Sequence, residues 1–271
     1  MNFMNITVLI ITRNRIKLLQ RAITSVKKQC FSGNIKTLIC IDDCPSTLLF
    51  LKESFGSDQT VSWFYSKRLK DDISGPSRLA HLRNFSVEYA DTEWISFLDD
   101  DNELELFHYS ELMRCASINK SEAVHCYRQL FFADGVPYCF MEEEYPWGRN
   151  SEQAKEMFKN LSKHGVIEKG CHVIRDQIDV SKGGINIVDT NVWLIKRETL
   201  LKNKIPSAYT KEDWLNIVCE DDKMLDQLIE GGVRMHCNNV PSVKYYLGGY
   251  SNAHYLRDNT SQKVHAEEWK E

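Results

Sequence analysis

The chain has 271 residues, which is long enough to bury a full hydrophobic core in one large α/β domain. Hydrophobic residues make up 42%, charged residues 27% and proline only 6 positions, a composition that excludes disordered and fibrous classes. The 34 Lys and Arg against 38 Asp and Glu give a formal charge of −4 with no basic stripe, so nucleic acid is not an expected partner.

The first hundred residues alternate between apolar β-branched runs and amphipathic segments. Helices are predicted from Ile16 towards Gly33, from Ser46 to about Phe55 and from Pro76 to about Tyr89. This alternation predicts an α/β fold with a mostly parallel central sheet flanked by helices, in which ligands bind beyond the carboxyl ends of the strands. The predicted strands are 6–12, 35–41, 61–65 and 93–98.

The second half of the sequence is more mixed. A single domain over 1–271 is predicted, with a nucleotide-sugar half at 1–102 and an acceptor and catalytic-base half at 103–271. Helices are predicted at 105–118, 151–163 and 212–232, and strands at 123–132, 136–140, 185–195 and in the segments RMHC and SVKYYL.

Cysteine usage and hydropathy indicate a reducing compartment and no membrane span. None of the nine cysteines forms a C-x-x-C pair, so a zinc knuckle is not expected. The apolar stretch near the N-terminus lacks a preceding basic region, and no segment approaches the ~20 apolar residues that span a bilayer. A cytoplasmic protein is expected, with peripheral membrane contact as the open alternative.

Polar clusters follow three of the predicted strands. They are Thr12-Arg13-Asn14, Asp42-Asp43 and Asp99-Asp100-Asp101. Three adjacent carboxylates repel one another, so a cation is expected to offset them. Mn²⁺ or Mg²⁺ is the candidate because such ions prefer carboxylate and phosphate oxygens. The alternative is an acidic loop in solvent.

The segment SRLAHLRNFSVEYADTEWISFLDDDN resembles the nucleotide-sugar half of family 2 glycosyltransferases of the GT-A fold. Members of this family also begin with a strand similar to VLIITRNR and have a second strand that ends in paired aspartates, as in IDDCP. The resemblance covers roughly 4–105 well. It implies a metal-dependent transfer of sugar from a nucleotide diphosphate, and it favours a UDP-sugar donor with a saccharide or lipid-linked acceptor.

The resemblance assigns roles to side chains at the strand ends. Arg83 is either an ion-pair partner of the aspartates or a substrate contact. The implied nucleotide-binding residues are Thr12 and Arg13 (nucleoside), Asp42 or Asp43 (base), Arg78 (the nucleotide or its diphosphate), and Asp99 and Asp100; the implied metal ligands are Asp101 and Asp99. His254 is a candidate third metal ligand, with an ordinary surface histidine as the favoured alternative.

A second motif, Glu220-Asp221-Asp222, begins a predicted helix. The resemblance gives Asp221 the role of general base in an inverting transfer, with the register open by one residue. The alternative is that acidic residues favour a helix N-terminus through its dipole. The absence of a Q-x-x-R-W segment and of a transmembrane helix, both present in processive polymer synthases of the family, favours addition of a single sugar.

Several further questions stay open from sequence. Trp147, Trp193 and Trp214 stack on sugar rings or pack in the core, with core packing favoured for Trp193. Asp189 and Thr190 precede Trp193 in a predicted strand, and an acceptor-facing position is the less favoured interpretation of these two residues. A homo-oligomer is possible. The alternative functions are a nucleotidyltransferase, whose usual glycine-rich loop after the first strand is absent, and a non-catalytic nucleotide-sugar-binding protein.

Overall fold

Strands and helices alternate through the first hundred residues, as the sequence predicts. The computed structural model describes residues 4–68, 75–216, 218–249 and 252, apart from the side chain of Trp214. The elements of this half are β1 (Asn5–Thr12), α1 (Ile16–Lys27), β2 (Asn34–Asp42), α2 (Pro45–Phe55), β3 (Val61–Ser66), α3 (Pro76–Tyr89) and β4 (Trp94–Phe97).

The second half contains shorter strands separated by irregular segments. Its elements are β5 (Glu103–Leu104), α4 (His108–Asn119), β6 (Ala123–Phe131), α5 (Ser151–Lys163), β7 (Val173–Ile174), β8 (Gln177–Ile178), β9 (Asn186–Ile187), a 3₁₀ turn (Thr190–Val192), β10 (Trp193–Lys196), α6 (Arg197–Lys202), α7 (Lys211–Asn216), α8 (Glu220–Glu230) and β11 (Met235–Tyr246).

One sheet joins the two halves, in the order β3-β2-β1-β4-β10-β6-β11-β5, with β7 added beside β6. Strands β3, β2, β1 and β4 are all parallel, whereas β10 runs antiparallel to both β4 and β6. Strand β11 returns parallel to β6, and β5 pairs with it antiparallel. The predicted α/β fold, parallel in its first half and mixed in its second, is confirmed.

The central strands are apolar because both faces of the sheet are covered. Ile6, Val8 and Ile10 are fully buried, and so is nearly all of Leu9, which points to the opposite face. Helix α1 contributes the apolar stripe that its sequence predicts, since Leu19, Ile23 and Val26 are buried. Helix α3 begins at Pro76, where a missing N–H is tolerated, after Gly75 with φ +76°.

Four predicted elements of the second half differ from the observed ones. The strand expected at 136–140 is reduced to one bridge, Phe131 to Pro137, because proline has no N–H to donate. The helix expected at 212–232 is two helices, and α8 begins where the Asp222 carboxylate accepts from the Cys219 amide at 2.8 Å.

The strand expected at 185–195 is interrupted by the 3₁₀ turn, which the Asp189 carboxylate caps by accepting from the Asn191 backbone N–H. The two closing strands are one strand, β11, in which the register shifts around Pro241. Such shifts are β-bulges, and a bulge accommodates a proline inside a strand. Among the described helices, none has the length and apolar composition needed to cross a bilayer.

Candidate functional site

The polar clusters predicted from the sequence meet at one edge of the sheet. Strands β1, β2 and β4 are parallel neighbours, with Thr12 opposite Ile41 and Leu9 opposite Phe97. Their carboxyl ends therefore point the same way, which is where ligands bind in sheets of this kind.

Asp100 and Asp101 are held by groups from the end of β1 and the start of α1. Asp100 is 2% exposed, and its Oδ2 accepts a hydrogen bond from the Thr12 hydroxyl at 2.6 Å. The Arg15 guanidinium pairs with both carboxylates, with Nη1 3.0 Å from Asp100 Oδ1 and Nη2 in contact with Asp101 Oδ2. Arg21 donates to the Asp101 carbonyl oxygen. Arginine side chains thus supply part of the positive charge that the sequence predicts beside these aspartates.

Asp99 is more open, with 42% of its side chain exposed. Its Oδ1 lies 3.3 Å from Arg83 Nη2, and its Oδ2 accepts from the Asn191 amide at 2.7 Å. The Asp99 backbone N–H donates in turn to Asn191 Oδ1 at 2.5 Å. Asn191 is buried and therefore fixes the direction of this carboxylate from the neighbouring segment of the chain.

The surroundings of Asp99 and Asp100 change their acidity. Although the Asp99 side chain is partly exposed, the protein around its carboxylate removes solvating water and raises its pKa to about 7; Arg83 opposes this rise and the Asp101 charge adds to it. Burial likewise raises the pKa of Asp100 to about 6 against the opposing effect of Arg15, with Asp101 adding to the rise. Carboxylates with raised pKa values favour a proton or an added cation.

The donor set fits Mn²⁺ or Mg²⁺. Among the described residues, Asp101 Oδ1 accepts no hydrogen bond, and Asp99 is accessible to solvent. One or two carboxylates together with phosphate oxygens are the usual ligands of these ions, so a third protein ligand is not required. His254, the third ligand expected from sequence, lies outside the described residues. The metal assignments to Asp99 and Asp101 stay predictions.

Asp42, at the end of β2, is enclosed by two arginines. Its side chain lies 3.0 Å from Arg78 Nη2 and 2.5 Å from Arg68 Nη2. The pKa of Asp42 is lowered because hydrogen bonds and charge from Arg68 and Arg78 outweigh the effect of burial, which would raise it. Asp43 has φ +47° and accepts from the Tyr65 hydroxyl at 2.8 Å.

The structure therefore joins two predicted site residues, Asp42 and Arg78, to each other. The diphosphate role expected of Arg78 and the base contact expected of Asp42 or Asp43 stay predictions. Thr12 uses its hydroxyl to hold Asp100, and its nucleoside contact also stays a prediction. The Arg13 side chain is half-buried and pairs with no carboxylate among the described residues.

The second motif reaches the aspartates through Arg83. This arginine is buried within α3, and its Nη1 pairs with Glu220 Oε1 while Nη2 pairs with Asp99. The ion pair expected between Arg83 and the aspartates is observed with Asp99, and the alternative of a substrate contact stays a prediction. Arg83 and Glu220 are 137 residues apart in the sequence, so this ion pair connects the second motif to the arginine that also contacts Asp99.

Asp221, the predicted base, is half-buried at the start of α8. Burial raises its pKa well above the ordinary value, and the charges of Glu220 and Asp222 raise it further. Asp222 is exposed and accepts from the Cys219 amide, so its carboxylate has a structural partner. Cys219, Asp221 and Asp222 could together offer three metal-ligand atoms, all within 4.8 Å of one another.

A second arginine cluster, which the sequence did not indicate, lies beside the first. Arg128 on β6 is 3.2 Å from Asp176 Oδ1 and 2.5 Å from Asp189 Oδ2. Asp189 also accepts from the Asn191 side chain at 2.7 Å, so it connects Arg128 to Asp99 through Asn191. Asp189 and Thr190 are buried, and the strand expected here is wrong because Thr190 begins the 3₁₀ turn and Asp189 caps it. Asp189 pairs with Arg128, and the acceptor-facing role stays a prediction.

Aromatic rings cover this second cluster. The Arg128 guanidinium lies 5.4 Å from the Trp147 ring centroid and 5.6 Å from that of Tyr245. Trp147 is half-buried and packs on Tyr145, whereas Trp193 is fully buried, as its core interpretation predicts. The side chain of Trp214 lies outside the described part of the chain.

Arg15, Asn191 and the Arg128 cluster are the site features that sequence reasoning missed. Charge balance could have identified Arg15, because three aspartates require cations and the segment TRNR is the nearest basic segment at a strand end. Nothing local in the sequence marks Asn191 or Arg128.

Comparison with solved structures places this geometry in a known fold. The S. aureus TarS 1–349 structure matches with a TM-score of 0.55 and 15% identity over 90% of this chain and 60% of that chain. Its complex with UDP matches at 0.55 and 14% over 93% and 63%. The mannosyltransferase PcManGT from Pyrobaculum calidifontis, in complex with GDP-Man and Mn²⁺, matches at 0.54 and 12% over 89% and 56%.

This chain therefore spans about three-fifths of the length of those solved chains. At such identities the likeness establishes the GT-A fold alone. No curated protein sequence matches significantly. The sequence model described as glycosyl transferase family 2, however, matches residues 7–180, which include β1, β2 and β4 with the polar clusters that follow them. The chain belongs to glycosyl transferase family 2.

Proposed function

We propose that this protein transfers a single sugar from a nucleoside diphosphate sugar, with UDP as the favoured nucleotide, to a hydroxyl group of a saccharide or lipid-linked acceptor. The observation that carries the proposal is the Arg83 bridge. It joins Asp99, in the aspartate cluster, to Glu220, the residue beside the proposed base. A donor site and a base at adjoining strand and helix ends are what such a transfer requires.

The proposed donor site is the sheet edge formed by β1, β2 and β4. The Asp42 end would receive the nucleoside, with Arg78 placed to reach the nucleotide or its diphosphate, because carboxylate and guanidinium groups together offer hydrogen-bond acceptors and donors. Asp99 and Asp101 would hold Mn²⁺ or Mg²⁺, which supplies positive charge to the leaving diphosphate when bound. Structural neighbours solved in complex with UDP and with GDP-Man support a nucleotide as part of the donor.

Asp221 is the proposed general base. The acceptor hydroxyl oxygen attacks the anomeric carbon, its proton passes to the Asp221 carboxylate, and the bond to the diphosphate oxygen breaks with its electron pair on the diphosphate. Attack from the face opposite the diphosphate inverts the anomeric configuration. The raised pKa of Asp221, which burial causes, increases the proton affinity that a base needs.

Trp147 is proposed to contact the acceptor. It is half-buried beside Tyr145 and Tyr245, and aromatic faces pack against the apolar faces of sugars. Burial raises the pKa of Tyr145 and the Asp221 charge adds to this rise, so the two side chains lie within electrostatic range of each other. This supports placing the acceptor hydroxyl between the base and these rings.

The experiment is incubation of the full chain with UDP-sugars and GDP-sugars, with and without Mn²⁺, followed by detection of released nucleoside diphosphate. The proposal expects release with a UDP-sugar and Mn²⁺, and an NMR spectrum of the transfer product that shows the inverted anomer. Release of pyrophosphate from a nucleoside triphosphate and a sugar phosphate would instead indicate a nucleotidyltransferase. Nucleotide binding without any release would indicate a non-catalytic binding protein.

A further inference from the structure

Arg15 occupies the position of a counter-ion in the aspartate cluster. Its two terminal nitrogens contact Asp100 and Asp101, and Asp101 is also the carboxylate proposed to bind the metal. A guanidinium and a divalent cation at one carboxylate repel each other, so the two cannot both bind there at full strength.

The geometry allows the Arg15 side chain to leave without unfolding its helix. The Arg15 backbone carbonyl accepts from the Leu19 amide at 2.9 Å and so is fixed at the start of α1. Its side chain, in contrast, is 28% exposed. Asp100 would keep the Thr12 hydroxyl as a partner after the guanidinium moved. Another cation can therefore replace the Arg15 guanidinium at the carboxylates while the Arg15 backbone stays in place.

We propose that Arg15 is a positioning residue that takes the place of the metal while the site is empty. It holds Asp100 and Asp101, weakens their affinity for a free divalent cation, and releases them when a diphosphate offers its guanidinium a better partner. Planar guanidinium groups pair with phosphate oxygens in a bidentate manner, which makes this exchange favourable. The inference rests on the proposed function, because it takes the donor to be a nucleoside diphosphate sugar.

The exchange makes metal and nucleotide bind cooperatively. If UDP removes Arg15 from Asp101, UDP raises the affinity for metal, and the metal must raise the affinity for UDP by the same factor. Binding of free metal alone would stay weak. The order in which the ligands arrive is thus set by one side chain that contacts the protein's own carboxylates.

The test is a titration of the full chain with Mn²⁺, without and with UDP. The electron paramagnetic resonance signal of unbound Mn²⁺ measures how much of the ion the protein has bound. In wild-type protein, UDP is expected to tighten Mn²⁺ binding by about tenfold or more. Arg15→Gln removes the charge, so it is expected to bind Mn²⁺ alone about tenfold more tightly than wild type and to gain less from UDP, the remaining gain being the one that phosphate oxygens supply as metal ligands. A gain in affinity cannot result from misfolding.

Two further variants separate the contact from general charge. Lys17→Gln removes the same charge from an exposed position two residues along, and it should leave Mn²⁺ binding unchanged. Arg15→Lys keeps a charge beside the aspartates and should keep free Mn²⁺ binding weak. Equal tightening in Lys17→Gln would overturn the specific role of Arg15.

The two proposals fail in different ways. Unchanged or weaker Mn²⁺ binding by Arg15→Gln, in a protein whose wild type binds UDP with Mn²⁺, overturns the inference and leaves the proposed function standing. Absence of any UDP and Mn²⁺ binding by wild type overturns both.

Discussion

Two clusters of arginine and aspartate lie side by side in this molecule, and they differ in exposure. At the end of β4, Asp99 and Asp101 have 42% and 15% of their side chains exposed, and Arg15 has 28%. Around β6, the corresponding fractions for Arg128 and Asp176 are 4% and 0%. The first cluster is open to a ligand, whereas the second is sealed beneath Trp147 and Tyr245.

This difference in exposure indicates that the open cluster serves ligand binding and that the sealed cluster serves the stability of the fold. In the sealed cluster, one arginine serves two aspartates and every charge is removed from water, so its integrity matters to the fold. In both clusters the carboxylates outnumber the arginines that contact their side chains, but only in the open cluster are the carboxylates accessible to a ligand that could balance the remaining charge. The Asn191 side-chain amide donates hydrogen bonds to both Asp99 and Asp189, so the sealed cluster helps to position Asp99 in the open cluster.

The largest expected effect is on turnover. Asp221→Asn keeps the shape of the side chain but cannot accept the acceptor proton, so kcat should fall by roughly 10² to 10⁴. Donor binding should stay near wild type, because the proposed base faces the acceptor. Steady-state kinetics of nucleotide release, together with donor titration, measure both quantities.

Asp222→Asn is the matched control for Asp221→Asn. Its amide oxygen can still accept from the Cys219 N–H, and the exposed position is the adjacent one in the same helix turn. Its turnover should therefore stay close to wild type. A large loss in Asp222→Asn with Asp221→Asn nearly active would move the base by one residue.

The next largest effect concerns the stability of the two clusters. Arg128→Met leaves Asp176 and Asp189 buried without their cation, which should lower the free energy of unfolding by about 3–5 kcal/mol. Arg15→Gln removes a guanidinium that is 28% exposed, and Asp100 keeps the Thr12 hydroxyl as a partner, so the loss should be smaller, about 1 kcal/mol. Urea unfolding of both variants tests the contrast. Similar losses would show that exposure does not distinguish the clusters.

A third prediction addresses ligand binding by the open cluster. Asp101→Ala should weaken Mn²⁺-dependent UDP binding by about tenfold or more, equivalent to about 1.4 kcal/mol, because it removes the proposed metal ligand. The fold should persist, since loss of one carboxylate relieves repulsion from Asp99 and Asp100. Asp91→Ala, an exposed aspartate paired with Lys36, is the control and should bind normally. Unchanged UDP and Mn²⁺ affinity in Asp101→Ala would remove the metal assignment.

The smallest effect is a pH dependence in the sealed cluster. Burial raises the pKa of Asp176 to about 7 from an ordinary 3.8, despite the opposing charge of Arg128. Because the folded pKa is the higher one, ionising Asp176 costs stability, and this cost grows as pH rises from about 4 to about 7. Asp176→Asn cannot ionise. Its thermal unfolding midpoint, measured relative to that of wild type, should therefore increase by a few degrees from pH 5 to pH 8. A difference independent of pH would contradict the shift.

The parts of the fold that the sequence predicts are those set by local pattern. Strands β1, β2 and β4 are short apolar runs, and parallel pairing alone brings their polar ends together. The aspartates at those ends were therefore predictable as one site. The break between α7 and α8 was not, because it depends on a single capping carboxylate at Asp222 within a continuous helical pattern.

The arginine contacts could be predicted only in part, because they join distant segments. Arg83 meets a glutamate 137 residues away, and Arg128 meets Asp189 at a separation of 61 residues. Periodicity reports which face of a helix or strand is apolar, yet it does not report which buried charges will pair. Arg128 lies within an apolar strand pattern, and its partners lie in an irregular segment with no periodicity at all.

The most direct test of the central claim, that the open cluster is a nucleotide-sugar site, is a thermal unfolding panel with UDP, GDP, CMP and dTDP, each with and without Mn²⁺. A ligand that binds the native state raises the midpoint by mass action. We predict a rise with UDP that requires Mn²⁺ and disappears in Asp101→Ala. No rise with any nucleotide, or an equal rise in Asp101→Ala, would contradict the claim.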